Sequence, residues 1–214
     1  MVALPGTTGR RRIYLMRHGH VDYFSKEVRE NGTENVPLTP LGREQAKASG
    51  VALAHVRFDR ALSSGLPRTR GTAEIVLGEN RDRTHLTLEA DAGFVEIKGG
   101  KIFPPVKSRD ELAARMTFEF DKAAEPGARM MGGDAFAEVQ ERSVASLKKL
   151  LAQPGWHTAL LVAHEGTNRL LLSWMTGSGL RAVQAFEQDL ACINVLDFDM
   201  VPKEDGSVGT EIQR

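Results

Sequence analysis

The chain has a single cysteine, Cys192, among its 214 residues. No intrachain disulfide can form, so the fold has to be held by its core, and such cysteine usage fits a reducing cytoplasm. Long apolar runs are also missing. The N-terminal stretch MVALPGTTGRRR is basic, and the apolar run behind it, Ile13 to Met16, is far too short for a signal peptide or a membrane span. Net charge is absent too. Lys+Arg and Asp+Glu are both 28, which gives no global pull toward nucleic acid or an anionic membrane. Neither partner is expected, and no internal repeat or low-complexity segment is visible.

What remains is ordinary for a soluble globular protein: 41% hydrophobic and 26% charged residues. The length suits one domain with a real core. Residues 1–11 read as a flexible tail and 12–214 as one domain, with a cap or lid near 97–133. RIYLM reads as a buried strand that ends in Arg17 and His18. In LTPLGREQA, Thr39 suits a helix N-cap and Pro40 the first helical position. FDRALSS reads as a strand and PRTRGTAEIVLG as a helix closed by Gly78. THLTLEA is a strand, with a helical stretch near 108–124 in the lid. Asp134 is expected to cap a long amphipathic helix over AFAEVQERSVASLKKLLAQ. HTALLVAH is the clearest buried strand, and EGTNRLLLSWMTG follows it as a helix. ACINVLDFDM and SVGTEIQR close the chain as strands around a KEDG turn.

Alternating strands and helices predict an α/β fold: a three-layer α/β/α sandwich around a mostly parallel sheet, with an antiparallel edge near the C-terminus. Sites in such sheets lie at the C-terminal strand ends. Three strands end in loaded residues: Arg17-His18, Ser63-Ser64 leading to Arg68, and His164.

The stretch RHGHVDY, from Arg17, admits two chemistries. His-Gly-His-Val-Asp resembles the opening of a metal site. Such sites normally continue with another histidine where Tyr23 stands, and the six histidines bring no further ligand motif. A three-ligand site from His18, His20 and His164 would lie beside Arg17 and Arg68, which repel a cation. The other chemistry is phosphoryl transfer. Two arginines can hold the charge on the phosphoryl oxygens. A neutral histidine can attack phosphorus, and a carboxyl group such as Glu96 can protonate the leaving oxygen. No metal and no cofactor are expected on this reading.

The blocks LMRHGHVDY, LTPLGREQA, ALSSGLPRTRGTA, FVEIKGG and LLVAHEGTNRLLL, in this order and context, resemble the signature of the histidine phosphatase (phosphoglycerate mutase-like) superfamily. The resemblance runs from about Ile13 to Trp174. It implies that His18 becomes phosphorylated, that Arg17, Arg68 and His164 complete the phosphate pocket, and that Glu96 is the proton donor. His20, Ser63, Ser64, Glu165 and Thr167 are expected beside the substrate or behind these residues, and Arg70 in solvent. Three departures stand out. His20 replaces the usual Glu or Gln, Phe24 stands where an asparagine is common, and Glu165 stands where glycine is common.

The implied activity is a metal-independent phosphomonoesterase of the histidine acid phosphatase type, acting on a small phosphate ester. The alternatives are phosphoglycerate mutase-type transfer and a non-catalytic phosphate-binding module. The mutase block E-R-x-x-G is replaced by Glu96-Ile97-Lys98-Gly99-Gly100. The lid mixes basic residues (Lys98, Lys101, Lys107, Arg109) with apolar ones (Phe94, Ile102, Phe103, Pro104, Pro105, Met116, Phe118, Met130, Met131). This mixture favours a phosphatase, with the apolar residues assigned first to packing. A homodimer is compatible with the architecture.

Overall fold

The computed structural model describes residues 9–26, 32–82, 86–100, 108–202, 204 and 208–213. Six strands form one sheet in the order β3-β2-β4-β1-β5-β6. They are β1 (Arg10–Arg17), β2 (Arg60–Ser63), β3 (Leu88–Ala90), β4 (Thr158–Ala163), β5 (Ile193–Pro202) and β6 (Val208–Gln213). β1 to β4 run parallel, while β5 pairs antiparallel with β1, and β6 antiparallel with β5. The mostly parallel sheet with an antiparallel C-terminal edge is therefore as expected.

Among the described residues five α-helices connect and cover the sheet: α1 (Pro40–Ala52), α2 (Pro67–Gly78), α3 (Arg109–Asp121), α4 (Phe136–Ala152) and α5 (Glu165–Met175). The pleat sorts the strand residues between two cores. Ile13, Leu15, Ala159, Leu161 and Ala163 pack with Leu147, Leu151 and Leu171 of α4 and α5. Met16, Leu160 and Val162 turn the other way, against Ala73 and Val76 of α2 and Leu53 just after α1. A third cluster joins Ile97, Phe120, Met130, Phe136, Leu170 and Val183, with Met116 and Met131 packed against it. It ties the lid to α4 and α5. Among the described residues no helix is long and apolar enough to cross a membrane.

Local chemistry sets several boundaries. Thr39 caps α1 by accepting from the Gly42 amide, with Pro40 at the first helical position. Asp134 does not cap α4. That position falls to Ala135, which makes no side-chain cap bond. Asp134 instead accepts from the Lys98 amide at 3.0 Å and donates its own amide to the Lys98 carbonyl at 2.9 Å. It therefore clips the segment after Glu96 to the lid. The tail also ends earlier than 11, because β1 starts at Arg10. Arg10 and Arg12 each form a two-pronged pair, with Asp199 and Asp197 of β5. Arg11 lies over the Trp156 ring on the other face. Opposite charges at facing positions recruit the basic run into the sheet.

Of the expected lid residues, Met116, Met130 and Met131 pack within the third cluster, whereas Phe94 is fully buried in the main core. Phe118 is exposed. Lys101, Ile102, Phe103, Pro104, Pro105 and Lys107 lie outside the described residues, as do the side chain of Arg109 and, Glu204 apart, the KEDG turn.

Candidate active site

β1, β4 and β2 are hydrogen-bonded neighbours, so their C-terminal ends form one short edge. Arg17 stands opposite Ala163, one residue before His164, and Ser63 stands opposite Val162. The His18 amide continues the β1–β4 pairing by donating to the Ala163 carbonyl at 3.1 Å. The rings of His18 and His164 consequently lie 5.2 Å apart, edge to face.

His18 is 3% exposed. Its Nδ1 is 2.8 Å from the Gly19 carbonyl oxygen. A carbonyl only accepts, so Nδ1 carries the proton and Nε2 keeps its lone pair. Burial lowers the pKa to about 3, helped by the positive charges of Arg68 and Arg17. The ring is neutral at physiological pH, as a nucleophile must be. Gly19 is required by close approach: a Cβ there would lie 2.4 Å from the Gly42 carbonyl oxygen. Its amide donates to Thr72 Oγ1 at 3.0 Å.

His164 is fully buried. Its Nε2 meets Ser64 Oγ at 2.8 Å, and Ser64 Oγ meets Thr69 Oγ1 at 2.9 Å. Thr69 spends its own proton on the Leu66 carbonyl. Ser64 must then donate to Thr69 and accept from His164, which places the His164 proton on Nε2. Burial, His18 and Arg68 hold the pKa of this ring well below the usual histidine value. His164 Nδ1, Arg17 Nε and Arg68 Nε are buried atoms without a hydrogen-bond partner. Buried polar groups of this kind call for a partner. The two guanidinium N–H groups suit a tetrahedral oxyanion, and Nδ1, which carries a lone pair in this tautomer, joins them as a donor only by taking up a proton.

Both arginines are anchored through their terminal nitrogens. Arg17 donates Nη1 to the Gln188 carbonyl and pairs Nη2 with Glu165 at 2.9 Å. Arg68, in the first turn of α2, donates Nη1 to the Thr33 and Glu34 carbonyls and stands over the Tyr23 ring.

Glu96 follows the turn after β3 and reaches the N-terminus of α5. Its Oε1 accepts from the Thr167 and Ile97 amides at 3.0 Å, and its Oε2 from the Gly166 amide at 3.2 Å. Thr167 Oγ1 donates to the Val95 carbonyl at 3.0 Å. Burial raises the carboxyl pKa, against these amides and Arg17, which lower it. Only glycine fits at 166, where a Cβ would lie 2.5 Å from Ile97 Cγ2 and 2.8 Å from Glu96 Oε1.

Other sequence candidates have different partners. His20 binds Thr39 Oγ1 through Nδ1 at 2.8 Å, and its amide donates to Gln45 Oε1 at 2.9 Å. It fixes the start of α1. Asp22, the acid of the H-x-H-x-D run, accepts from the Phe24 amide. Ser63 is buried and accepts from the Gly65 amide. Arg70 pairs with Glu74 in solvent, as expected. Among the described residues no three His, Cys, Asp or Glu side chains are grouped to hold a metal ion.

Four contributors escaped the sequence reading. Tyr23 faces Arg68, Thr72 receives the Gly19 amide, and Gln188 holds Arg17. Asn168 bonds the Gln188 side chain. Tyr23 was within reach, since it lies inside RHGHVDY. Gln188 acts through its backbone carbonyl, which leaves no trace in residue identity.

The fold is an α/β sheet with unpartnered buried donors near its C-terminal strand ends, and comparison with known proteins makes the class specific. Residues 13–202 match the histidine phosphatase superfamily (branch 1), and the chain belongs to that superfamily. Phosphatase activity is supported within that superfamily. It is 26% identical over 171 residues to a broad-specificity phosphatase of Saccharomyces cerevisiae, covering 77% of this chain and 70% of the relative. A probable phosphoglycerate mutase GpmB of Yersinia pestis is 27% identical, covering 89% and 86%. The 2-carboxy-D-arabinitol-1-phosphatase of Triticum aestivum is 25% identical over 93% of this chain, which spans only 39% of that protein. The solved structure of a mycobacterial glucosyl-3-phosphoglycerate phosphatase superposes with a TM-score of 0.70 at 22% identity, covering 96% of both chains.

Proposed function

We propose that the protein is a phosphomonoesterase that works without a metal, through a phosphohistidine on His18. The observation that carries this reading is the orientation of His18. Its Nδ1 is tied to the Gly19 carbonyl, leaving a neutral Nε2 beside buried, unpartnered nitrogens of Arg17, Arg68 and His164. In the first step the Nε2 lone pair attacks phosphorus. The ester P–O bond breaks, its electron pair goes to the leaving oxygen, and Glu96 supplies the proton. In the second step Glu96 takes a proton from water, the water oxygen attacks phosphorus, and the N–P bond returns its pair to Nε2. The raised pKa of Glu96 suits the acid role in step one. A phosphoryl dianion would offset the field of the two arginines, which favours an N–H at His164 Nδ1 and hence a further donor to the same oxygens.

Hydrolysis is favoured over return of the phosphoryl group to a bound intermediate. That alternative needs further cations around a small polyanion, and Lys98, at the matching block, is paired with Glu34 at 2.7 Å. The test is hydrolysis of p-nitrophenyl phosphate in excess EDTA, with His18→Ala as control, followed by trapping of labelled phosphoenzyme. Activity in EDTA, lost in the variant, with an acid-labile and alkali-stable phosphoenzyme, is the expected result. Loss of activity in EDTA with recovery on adding zinc would overturn it.

A further inference from the structure

We propose that Glu165 sets the charge selectivity of this site. It disfavours monoesters that carry a second negative charge near the phosphate and favours those whose neighbouring groups are hydroxyls or a cation. The proposal deepens the phosphatase reading and rests on it for the identity of the phosphate pocket.

Glu165 follows His164 directly and opens α5. Its Oε2 lies 2.9 Å from Arg17 Nη2, and its Oε1 lies 2.9 Å from Arg169 Nη2 and 3.2 Å from Arg169 Nε. Arg169 is one turn further along α5, so the carboxylate stands between it and the strand ends. Tyr23, which faces Arg68, feels the charges of both Glu96 and Glu165. Through its pair with Arg17 the carboxylate is part of the surroundings of the phosphate pocket.

Among the described residues, Arg17, Arg169, Arg142 and Lys98 are already engaged. Arg17 has one terminal nitrogen on the Gln188 carbonyl and the other on Glu165, which leaves Nε as its unpartnered nitrogen. Arg169 has two nitrogens on Glu165 and its guanidinium 4.5 Å from the Phe120 ring centre. Arg142 donates to the carbonyls of Ala92, Gly93 and Val95. Lys98 pairs with Glu34. The first amides of α5, which would otherwise attract an anion, are satisfied by Glu96. The remaining donors serve one phosphoryl group. A second anion beside it would meet the Glu165 carboxylate with no free counter-charge among these described residues. At a separation of about 6 Å, with an effective dielectric of about 20 and partial exposure to salt, the repulsion amounts to on the order of tenfold in kcat/KM.

Glycerol 3-phosphate and 3-phosphoglycerate differ by a hydroxymethyl group against a carboxylate, so their kcat/KM ratio reads this effect directly. Wild-type protein is expected to prefer glycerol 3-phosphate. Glu165→Gln is expected to shift the ratio toward 3-phosphoglycerate by on the order of tenfold. An unchanged ratio in a variant that still hydrolyses both esters would overturn the proposal. The wild-type protein supplies a second reading if the variant fails to fold. Raising salt should shift its ratio toward 3-phosphoglycerate, because a repulsion is being screened. A shift the other way would overturn the proposal. If the wild-type protein hydrolyses no ester, the phosphatase reading fails. Charge selectivity is then decided by calorimetric binding of the same two esters, where Glu165→Gln must tighten 3-phosphoglycerate relative to glycerol 3-phosphate.

Discussion

Arg17 ends a buried strand, and His18, Ser64 and His164 each follow one directly. Ile97, Phe120, Met130 and Val183, which form the core of the lid, come from four segments joined by loops. The first group inherits its positions from hydrogen-bonded register, where a slip of one residue would turn every side chain to the other face. The second is placed by apolar contact and a few clips, such as Asp134 on Lys98 and Glu119 on the Met131 amide. The pocket should therefore tolerate little change in geometry, while the lid should respond to mutation mainly in stability.

The largest effect is expected at the nucleophile. His18→Asn should lower kcat on p-nitrophenyl phosphate by on the order of a thousandfold or more. The same variant tests burial. Above the ordinary histidine pKa of 6.5, residue 18 is neutral whether the chain is folded or unfolded. As pH falls below that value the unfolded chain takes up a proton, while the folded chain refuses it until about pH 3. Wild-type stability is therefore lost as pH falls through this window, and the melting temperature of His18→Asn should fall less steeply. Equal slopes would show that His18 is not held neutral by its surroundings.

Next in size is Gly166→Ala, which pushes a Cβ into Ile97 and Glu96. It should reduce kcat by on the order of a hundredfold, as should Glu96→Gln. In the wild type, kcat should fall as pH rises through the raised pKa of Glu96, where the acid loses its proton. A profile that keeps this limb in Glu96→Gln would remove Glu96 from the role of acid.

A smaller loss, about tenfold, is expected for Ser64→Ala, which frees the His164 ring to exchange tautomers. Steady-state kinetics should show most of it in KM for the phosphate ester.

The smallest effect on catalysis is expected in the lid. Phe120→Ala should cost about 3–5 kcal/mol of stability in urea melts, while kcat on p-nitrophenyl phosphate changes by about threefold or less. A fall in kcat as large as that of Gly166→Ala would erase the distinction between the two regions.

The sequence was more informative about the pocket than about what surrounds it. RIYLM and HTALLVAH are short apolar runs whose ends mark the sheet edge, and the pattern alone brought Arg17, His18 and His164 together. The cap of α1 was readable because Thr39 and Pro40 act on their immediate neighbours. Asp134 was misread for the opposite reason. It precedes a helix, as a cap would, but its partner lies 36 residues away at Lys98. Arg10 and Arg11 read as tail because their partners, Asp199 of β5 for Arg10 and Trp156 for Arg11, lie far along the chain.

The sequence by itself determined the layered α/β class and which residues stand at the strand ends, since periodicity and capping act over a few residues; a phosphate-binding role for them is what the family resemblance implies. The tertiary structure alone decided that Glu96 docks on the amides of α5, that Ser64 fixes the proton of His164, and that Glu165 stands between Arg17 and Arg169. Most of those contacts join residues far apart in the chain, and their strength depends on burial, which no local pattern encodes.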